Sequence, residues 1–160
     1  MALSGDSSRE STSASSGSPF NAETAAYAPV GAAIASASKS ILVADDDEAL
    51  RMLLHAILTA GGYRVSVAEN GEKAVELFQR HGPFELVILD LRMPKLSGQA
   101  ALQRIRALNS GIRALALTGM PLEKDSDPLL KGFDGQMTKP FLGDELVEKV
   151  KSLLAGRNSG

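Results

Sequence analysis

The feature that most constrains the fold is a set of short apolar runs, each ending directly in a polar residue. The clearest run is Leu86–Leu89, which is followed at once by Asp90. A continuous run of branched aliphatic residues predicts a strand buried on both faces, as in a parallel sheet. Similar runs end at Asp45 and Thr118. Ligands of open α/β sheets bind beyond the carboxyl ends of the strands, so these polar residues are candidate site residues.

Strand and helix patterns alternate along the chain from Lys39 to Ala155. Strands are predicted at 41–44, 63–68, 86–89, 113–117 and 135–138, with helices at 48–60, 72–80 and 142–155. A further helix is predicted after the strand at 86–89, capped by Ser97 and ending near residues 109–111. The third helix is expected to bury Ala101, Leu102, Ile105 and Leu108. Before the fifth strand, Pro121 and the Asp127-Pro128 pair both open helices, so the fourth of five helices is predicted to be short or broken.

This alternation predicts an α/β fold with a five-stranded parallel sheet and helices on both faces. The flavodoxin-like strand order 2-1-3-4-5 is the expected arrangement, and it makes the first and third strands neighbours. Residues 1–38 contain twenty Ser or Ala residues and are predicted to be a disordered tail. The globular domain is predicted at residues 39–156, and residues 157–160 are predicted to be a disordered C-terminus.

Composition excludes several classes of function. The chain has no Cys, so a disulfide framework or a thiolate metal site is excluded. Residues 39–160 carry sixteen basic and sixteen acidic side chains, a balance that does not favour nucleic-acid binding. No window approaches the roughly 18 apolar residues of a membrane span. We therefore expect a cytoplasmic protein that contacts neither nucleic acid nor membrane.

Acidic residues converge at one edge of the predicted sheet. Asp45 and Asp46 follow the first strand, and Asp90 follows the third. Two carboxylates ~4 Å apart repel by ~4 kcal/mol at an effective dielectric constant of ~20. A hard divalent cation removes that cost, and an all-oxygen, partly hydrated site suits Mg²⁺. With Lys139 as a second cation and the Thr118 hydroxyl as a donor, Asp90 can act as a carboxylate nucleophile toward a phosphoryl group.

Four segments together resemble the CheY-like receiver domain of two-component response regulators. They are ILVADDDEALR, LVILDLRMPKLSG, ALALTG and the final TKPF, which occur in this order between Ser40 and Ala155. The resemblance implies a module that accepts a phosphoryl group from a histidine kinase or a histidine phosphotransfer protein. It also implies signalling to an unidentified downstream protein through protein–protein contacts.

The resemblance assigns a role to each candidate residue. Asp90 is the expected phosphoacceptor, with Lys139 as the phosphoryl-binding lysine and Thr118 as the switch hydroxyl. The expected Mg²⁺ ligands are Asp46 directly, Asp45 through bound water, Asp90, and the backbone carbonyl of Arg92. The Lys139–Pro140 peptide bond is expected to be cis. Asp47 is interpreted as the N-cap of the first helix.

One residue departs from the family pattern and keeps a second function open. Family members usually carry Tyr or Phe three residues before the lysine, whereas this chain has Gln136. A Gln side chain cannot make the same exchange between buried and exposed positions, so a phosphorylation-independent interaction module is the alternative. In either case we expect no enzyme activity beyond Mg²⁺-dependent self-phosphorylation and self-dephosphorylation at Asp90.

Overall fold

The computed structural model describes residues 38–124 and 126–159. The tail predicted to be disordered, residues 1–38, lies outside this part except for Ser38, so its disorder stays a prediction. Five strands follow in chain order: β1 (Ser40–Ala44), β2 (Arg64–Ala68), β3 (Leu86–Asp90), β4 (Arg113–Thr118) and β5 (Gly135–Thr138). All neighbouring pairs are parallel and the order is β2-β1-β3-β4-β5, which confirms the predicted fold.

Four α-helices connect and cover the strands. They are α1 (Glu48–Ala60), α2 (Gly71–His81), α3 (Gly98–Leu108) and α4 (Gly143–Ser159). Side chains alternate along the strands, so one face of the sheet packs on α1 and α4 and the other on α2 and α3. α4 continues past its predicted end at Ala155, into the 157–160 segment for which disorder was predicted. Its Gly156 lowers helix stability by only about 1 kcal/mol and does not end the helix.

The core of α3 agrees with its sequence pattern except at one end. Ala101, Leu102 and Ile105 are buried as predicted, but Leu108 is 50% exposed. The prediction for Leu108 was wrong: it is the last residue of α3, and the next residue, Asn109, has an extended backbone that ends the helix.

The connection between β4 and β5 contains the predicted broken helix. Among its described residues, only Pro128–Leu130 is helical, as a single 3₁₀ turn. Asp127 caps this turn by accepting a hydrogen bond from the Leu129 N–H, 2.9 Å away. Leu130 then packs with Leu91 and Ala116 in a small third apolar cluster. Within the described residues, no helix combines the length and the hydropathy that crossing a membrane requires.

Candidate functional site

The predicted acidic residues meet at the carboxyl edge of the sheet. β1 and β3 are neighbours in a register that places Ala44 beside Leu89, so the residues that follow, Asp45 and Asp90, lie side by side. Both carboxylates are buried, whereas Asp46 is exposed. Carboxylate oxygens of Asp45, Asp46 and Asp90 all lie within 4.8 Å of one another. Asp45 and Asp90, which are 45 positions apart in the chain, therefore form one cluster with Asp46, as the strand order requires.

Lys139 joins this cluster from the end of β5. Its Nζ lies 2.9 Å from Asp45 Oδ2 and 3.2 Å from Asp90 Oδ2, so one ammonium group bridges the two buried carboxylates. Its backbone N–H donates to the Thr118 carbonyl at 2.8 Å, which ties β5 to β4 at the same edge. The Lys139–Pro140 peptide bond is cis, as expected from the resemblance.

Burial and charge shift the proton equilibria of the cluster. Burial, followed by the charge of Asp45, raises the pKa of Asp90, although Lys139 and the Arg92 N–H oppose this rise. Burial alone would lower the pKa of Lys139, but its contacts with Asp45 and then Asp90 outweigh burial and raise that pKa. The lysine therefore stays charged at neutral pH. One ammonium group against three carboxylates leaves the cluster with excess negative charge.

This arrangement fits a hard divalent cation. Three carboxylates offer oxygen atoms at a spacing that a single ion can span. The exposed position of Asp46 leaves one side of the cluster open to water, and Mg²⁺ usually keeps several waters among its ligands. The Arg92 N–H donates to Asp90 Oδ1 at 3.3 Å. A ligand role for the Arg92 carbonyl stays a prediction.

Hydrogen bonds to Asp47 and Arg51 hold the loop that carries Asp45, besides the bond from the Asp45 N–H to the Ala68 carbonyl at 3.1 Å. The Asp47 N–H donates to Asp45 Oδ1 at 2.9 Å, and Arg51 Nη1 donates to the Asp45 backbone carbonyl at 2.8 Å. Asp47 also accepts from the Leu50 N–H at 3.3 Å, which confirms it as the N-cap of α1. Sequence reasoning did not identify Arg51. Its position one turn inside α1, a helix that begins beside the acidic loop, is the signal that indicates this role.

Gly98 packs closely against the backbone of Asp90. It begins α3 directly after the Ser97 cap, and a Cβ there would overlap with the Asp90 carbonyl. Its N–H donates to the Leu91 carbonyl at 3.2 Å. Only glycine therefore lets α3 approach the end of β3 this closely. Sequence reasoning overlooked this residue, although the Ser97-Gly98 pair marks a helix start against a strand end.

Thr118 lies at the wall of a cavity next to Asp90. The cavity has a volume of about 220 Å³, and its lining includes Asp90, Thr118, Met120, Leu122 and Lys139. Thr118 is buried, and its Oγ1 donates to the Met120 carbonyl at 2.8 Å and accepts from the Met120 N–H at 3.2 Å. Thr118 thus lines the cavity, and its hydroxyl is engaged by the loop that follows β4.

Comparison with known proteins identifies the family of this chain. The family model described as the response regulator receiver domain matches residues 41–151. The chain belongs to the response regulator receiver domain family. The matched range contains all five strands except Ser40, and every predicted site residue.

Curated relatives of this receiver domain are longer proteins. It is 39% identical over 115 residues to a probable transcriptional regulator, ycf27, of Cyanidium caldarium, covering 71% of this chain and 45% of that protein. It is 41% identical over 111 residues to the uncharacterized transcriptional regulatory protein YrkP of Bacillus subtilis, covering 69% and 47%. The chain spans about half the length of the curated relatives it matches.

Solved structures of other receiver domains share the fold over nearly their whole length. The response regulator TrrA of Thermotoga maritima, solved in complex with Mg²⁺-BeF, is 40% identical with a TM-score of 0.65, covering 72% of this chain and 98% of that one. The receiver domain of the Francisella response regulator 1452 is 28% identical with a TM-score of 0.66, covering 74% and 98%. Both similarities place this chain within the family.

Proposed function

We propose that this receiver domain accepts a phosphoryl group on Asp90 in a two-component phosphorelay. The observation that carries the proposal is the cluster in which Lys139 bridges the buried carboxylates of Asp45 and Asp90, with Asp46 completing the acidic group. The expected donor is the phosphohistidine of a histidine kinase or a histidine phosphotransfer protein. Transmission to a downstream protein by direct contact follows, and we expect the relay to operate in the cytoplasm.

Asp90 performs the chemistry in this proposal. A carboxylate oxygen of Asp90 attacks the phosphorus, the new O–P bond forms as the N–P bond to histidine breaks, and the imidazole nitrogen retains the electron pair and takes up a proton. The Lys139 ammonium group, already 3.2 Å from Asp90 Oδ2, neutralises charge on the transferred group. The Thr118 hydroxyl, which lines the same cavity, donates to one phosphoryl oxygen.

Mg²⁺ is the cofactor that the acidic cluster favours. Asp45, Asp46, Asp90 and the Arg92 carbonyl would hold it, and the TrrA structure contains Mg²⁺ with a fluoride of beryllium. When bound, the ion neutralises negative charge on the phosphoryl oxygens during in-line transfer. The proposed turnover is limited to phosphorylation and dephosphorylation of Asp90 itself, without hydrolysis of other phosphate esters.

The test is phosphoryl uptake from a small-molecule donor. The full chain is incubated with acetyl phosphate and Mg²⁺, and the intact mass is measured beside that of Asp90→Asn. The wild-type chain is expected to gain one acid-labile phosphoryl group, whereas Asp90→Asn gains none. Glu69→Ala, which removes an exposed carboxylate near the same edge, is the control and should gain the group as wild type does. A wild-type chain that gains no phosphate under these conditions contradicts the proposal.

A second candidate function is a phosphorylation-independent interaction module. Gln136, which occupies the position of the usual aromatic residue, is the observation that favours it, because the site can then react without moving an aromatic side chain. A partner affinity that is the same with and without Mg²⁺-beryllofluoride would favour this alternative. Because the chain spans about half of the curated relatives named transcriptional regulators, we assign no nucleic-acid contact to it.

A further inference from the structure

The side-chain amide of Gln136 makes two hydrogen bonds to a single residue of the β4–β5 connection. Its Nε2 donates to the Leu122 carbonyl at 2.7 Å, and its Oε1 accepts from the Leu122 N–H at 3.2 Å. Gln136 is next to Ala116 in the sheet register, and Leu122 packs against the third apolar cluster, to which Ala116 belongs. The amide therefore pairs with both the N–H and the carbonyl of Leu122, as the backbone of a neighbouring strand would.

The start of the same connection is held by Thr118. Its hydroxyl donates to the Met120 carbonyl and accepts from the Met120 N–H. Residues 119–122, which we call the β4 loop, are thus fixed at Met120 by one side chain and at Leu122 by another. Pro121 lies between them, and its ring fixes one backbone dihedral. Because only Pro121 separates Met120 from Leu122, one of these residues can move little without the other.

The Thr118 hydroxyl has one proton, and the Met120 carbonyl receives it. If Asp90 carries a phosphoryl group, Thr118 can donate to it only by releasing this carbonyl. The 58% exposure of Met120 allows the released backbone to bind water. Because Leu122 is only two residues further along the chain, a shift of Met120 pulls on the pair of bonds to Gln136.

We propose that Gln136 is a positioning residue that opposes uptake of the phosphoryl group. Its amide stabilises the β4 loop in the arrangement in which Met120 engages the Thr118 hydroxyl. Binding of the phosphoryl group must break the contact between Thr118 and Met120, and the free energy that this costs weakens the binding. The inference rests on the proposed function and deepens it, because it makes Gln136 a regulator of the same site and not a residue uncoupled from it.

The experiment compares beryllofluoride affinity between variants of the full chain in excess Mg²⁺, measured by titration calorimetry. Gln136→Leu keeps the size of the side chain and removes both hydrogen bonds. It is expected to bind beryllofluoride about fivefold more tightly than wild type, because binding no longer has to weaken the two hydrogen bonds between Gln136 and Leu122. Gln103→Leu, an exposed glutamine on α3, is the matched control and should bind as wild type does.

Two further variants separate positioning from a general effect on the fold. Gln136→Glu accepts from the Leu122 N–H but has no proton for the Leu122 carbonyl, so it should also bind more tightly, and it serves if the Leu variant does not fold. In a Thr118→Ala background the hydroxyl is absent, and Gln136→Leu should then change the affinity by less than about twofold, the signature of coupled residues in a double-mutant cycle.

Each outcome separates this inference from the proposed function. Equal or weaker binding by Gln136→Leu, with wild type binding normally, overturns the role of Gln136 and leaves the phosphoacceptor in place. An equal gain in the Thr118→Ala background also overturns it, because the effect would not pass through the hydroxyl. Absence of beryllofluoride binding by wild type overturns both proposals.

Discussion

Two clusters of charge at opposite ends of the same sheet have opposite balances. At the carboxyl end, the acidic site sets the carboxylates of Asp45, Asp46 and Asp90 against the Lys139 ammonium group. At the amino end, one carboxylate, Asp134, faces two guanidinium groups. We call the second set the arginine cluster; it consists of Asp134, Arg106 and Arg113.

Every oxygen of the Asp134 carboxylate has a donor. Arg106 Nη2 lies 3.2 Å from Oδ2, Arg113 Nη1 lies 3.4 Å from Oδ1, and the Ala114 N–H donates to Oδ2 at 2.8 Å. Arg106 also donates to the Gly132 and Ser110 carbonyls, which joins α3 to the start of β5. The Asp134 carboxylate has its donors without an ion, although the two guanidinium groups leave the arginine cluster with one positive charge in excess and Arg106 Nε has no hydrogen-bond partner among the described residues. The acidic site has the opposite excess, with more carboxylates than ammonium groups, and this is the balance that attracts a metal ion.

Removing Asp134 is expected to have the largest effect on stability. Asp134→Ala leaves two partly buried guanidinium groups without their carboxylate and should lower the free energy of unfolding by about 3 kcal/mol. Urea unfolding measures this loss, with the exposed Glu69→Ala as control. Mg²⁺ affinity of the folded variant should change by less than about twofold, since the clusters lie at opposite ends of the sheet. A loss below about 1 kcal/mol would show that the arginine cluster contributes little to the stability of the fold.

Mg²⁺ is expected to raise the free energy of unfolding through the acidic site, independently of the arginine cluster. At a concentration ~100 times its dissociation constant, an ion that binds only the folded state adds about 2.7 kcal/mol to the free energy of unfolding. Wild type and Asp134→Ala should both gain this amount in urea unfolding with and without Mg²⁺. Asp46→Asn should lose most of the gain, and its exposed position means that the metal-free fold is preserved. An unchanged gain in Asp46→Asn would exclude Asp46 as a ligand.

Neutralising Asp90 is expected to stabilise the metal-free protein. Burial, followed by the Asp45 charge, raises the pKa of Asp90, so the ionised form is unfavourable in the folded state. Asp90→Asn removes that charge, and Lys139 keeps its closer contact with Asp45. In EDTA the variant should be about 1 kcal/mol more stable than wild type by urea unfolding, the opposite sign to Asp134→Ala. Destabilisation would mean that the acidic site is balanced without an ion.

The smallest effect is expected for an ion pair that belongs to neither cluster. Lys73 and Glu76 form a contact of 3.3 Å on α2, with 47% and 41% of their side chains exposed. Lys73→Ala should change the free energy of unfolding by less than about 0.5 kcal/mol, as for other surface pairs. This value sets the baseline for the other three measurements. A loss as large as that of Asp134→Ala would remove the distinction between buried and surface charge.

The elements and their order were predictable because local patterns decide them. Apolar runs such as Leu86–Leu89 are buried on both faces in the structure, and caps such as Asp47 and Ser97 begin helices where the sequence placed them. The broken fourth helix followed from prolines that cannot continue a helix. Leu108 was predicted wrongly because a periodic pattern does not show which residue is the last of a helix.

The strand order predicts that the site residues meet at one edge of the sheet, but it does not predict which atoms they contact. Parallel strands place Asp45, Asp90, Thr118 and Lys139 on one edge, which is as far as strand-end reasoning reaches. The helix starts place Arg51 and Gly98 near this edge. That Arg51 binds the Asp45 carbonyl and that Gly98 lies against the Asp90 carbonyl depends on helix positions relative to the sheet, which a helix start does not give.

The sequence by itself determined which residues stand at the strand ends, because hydrophobic burial fixes the strands and chain direction fixes their ends. Only the tertiary structure decided that Lys139 bridges Asp45 and Asp90, contacts that join residues 94 and 49 positions apart. It also decided that Gln136 pairs with Leu122. These contacts depend on side-chain rotamers selected by packing between elements, and that selection exists only once the sheet and its helices have assembled.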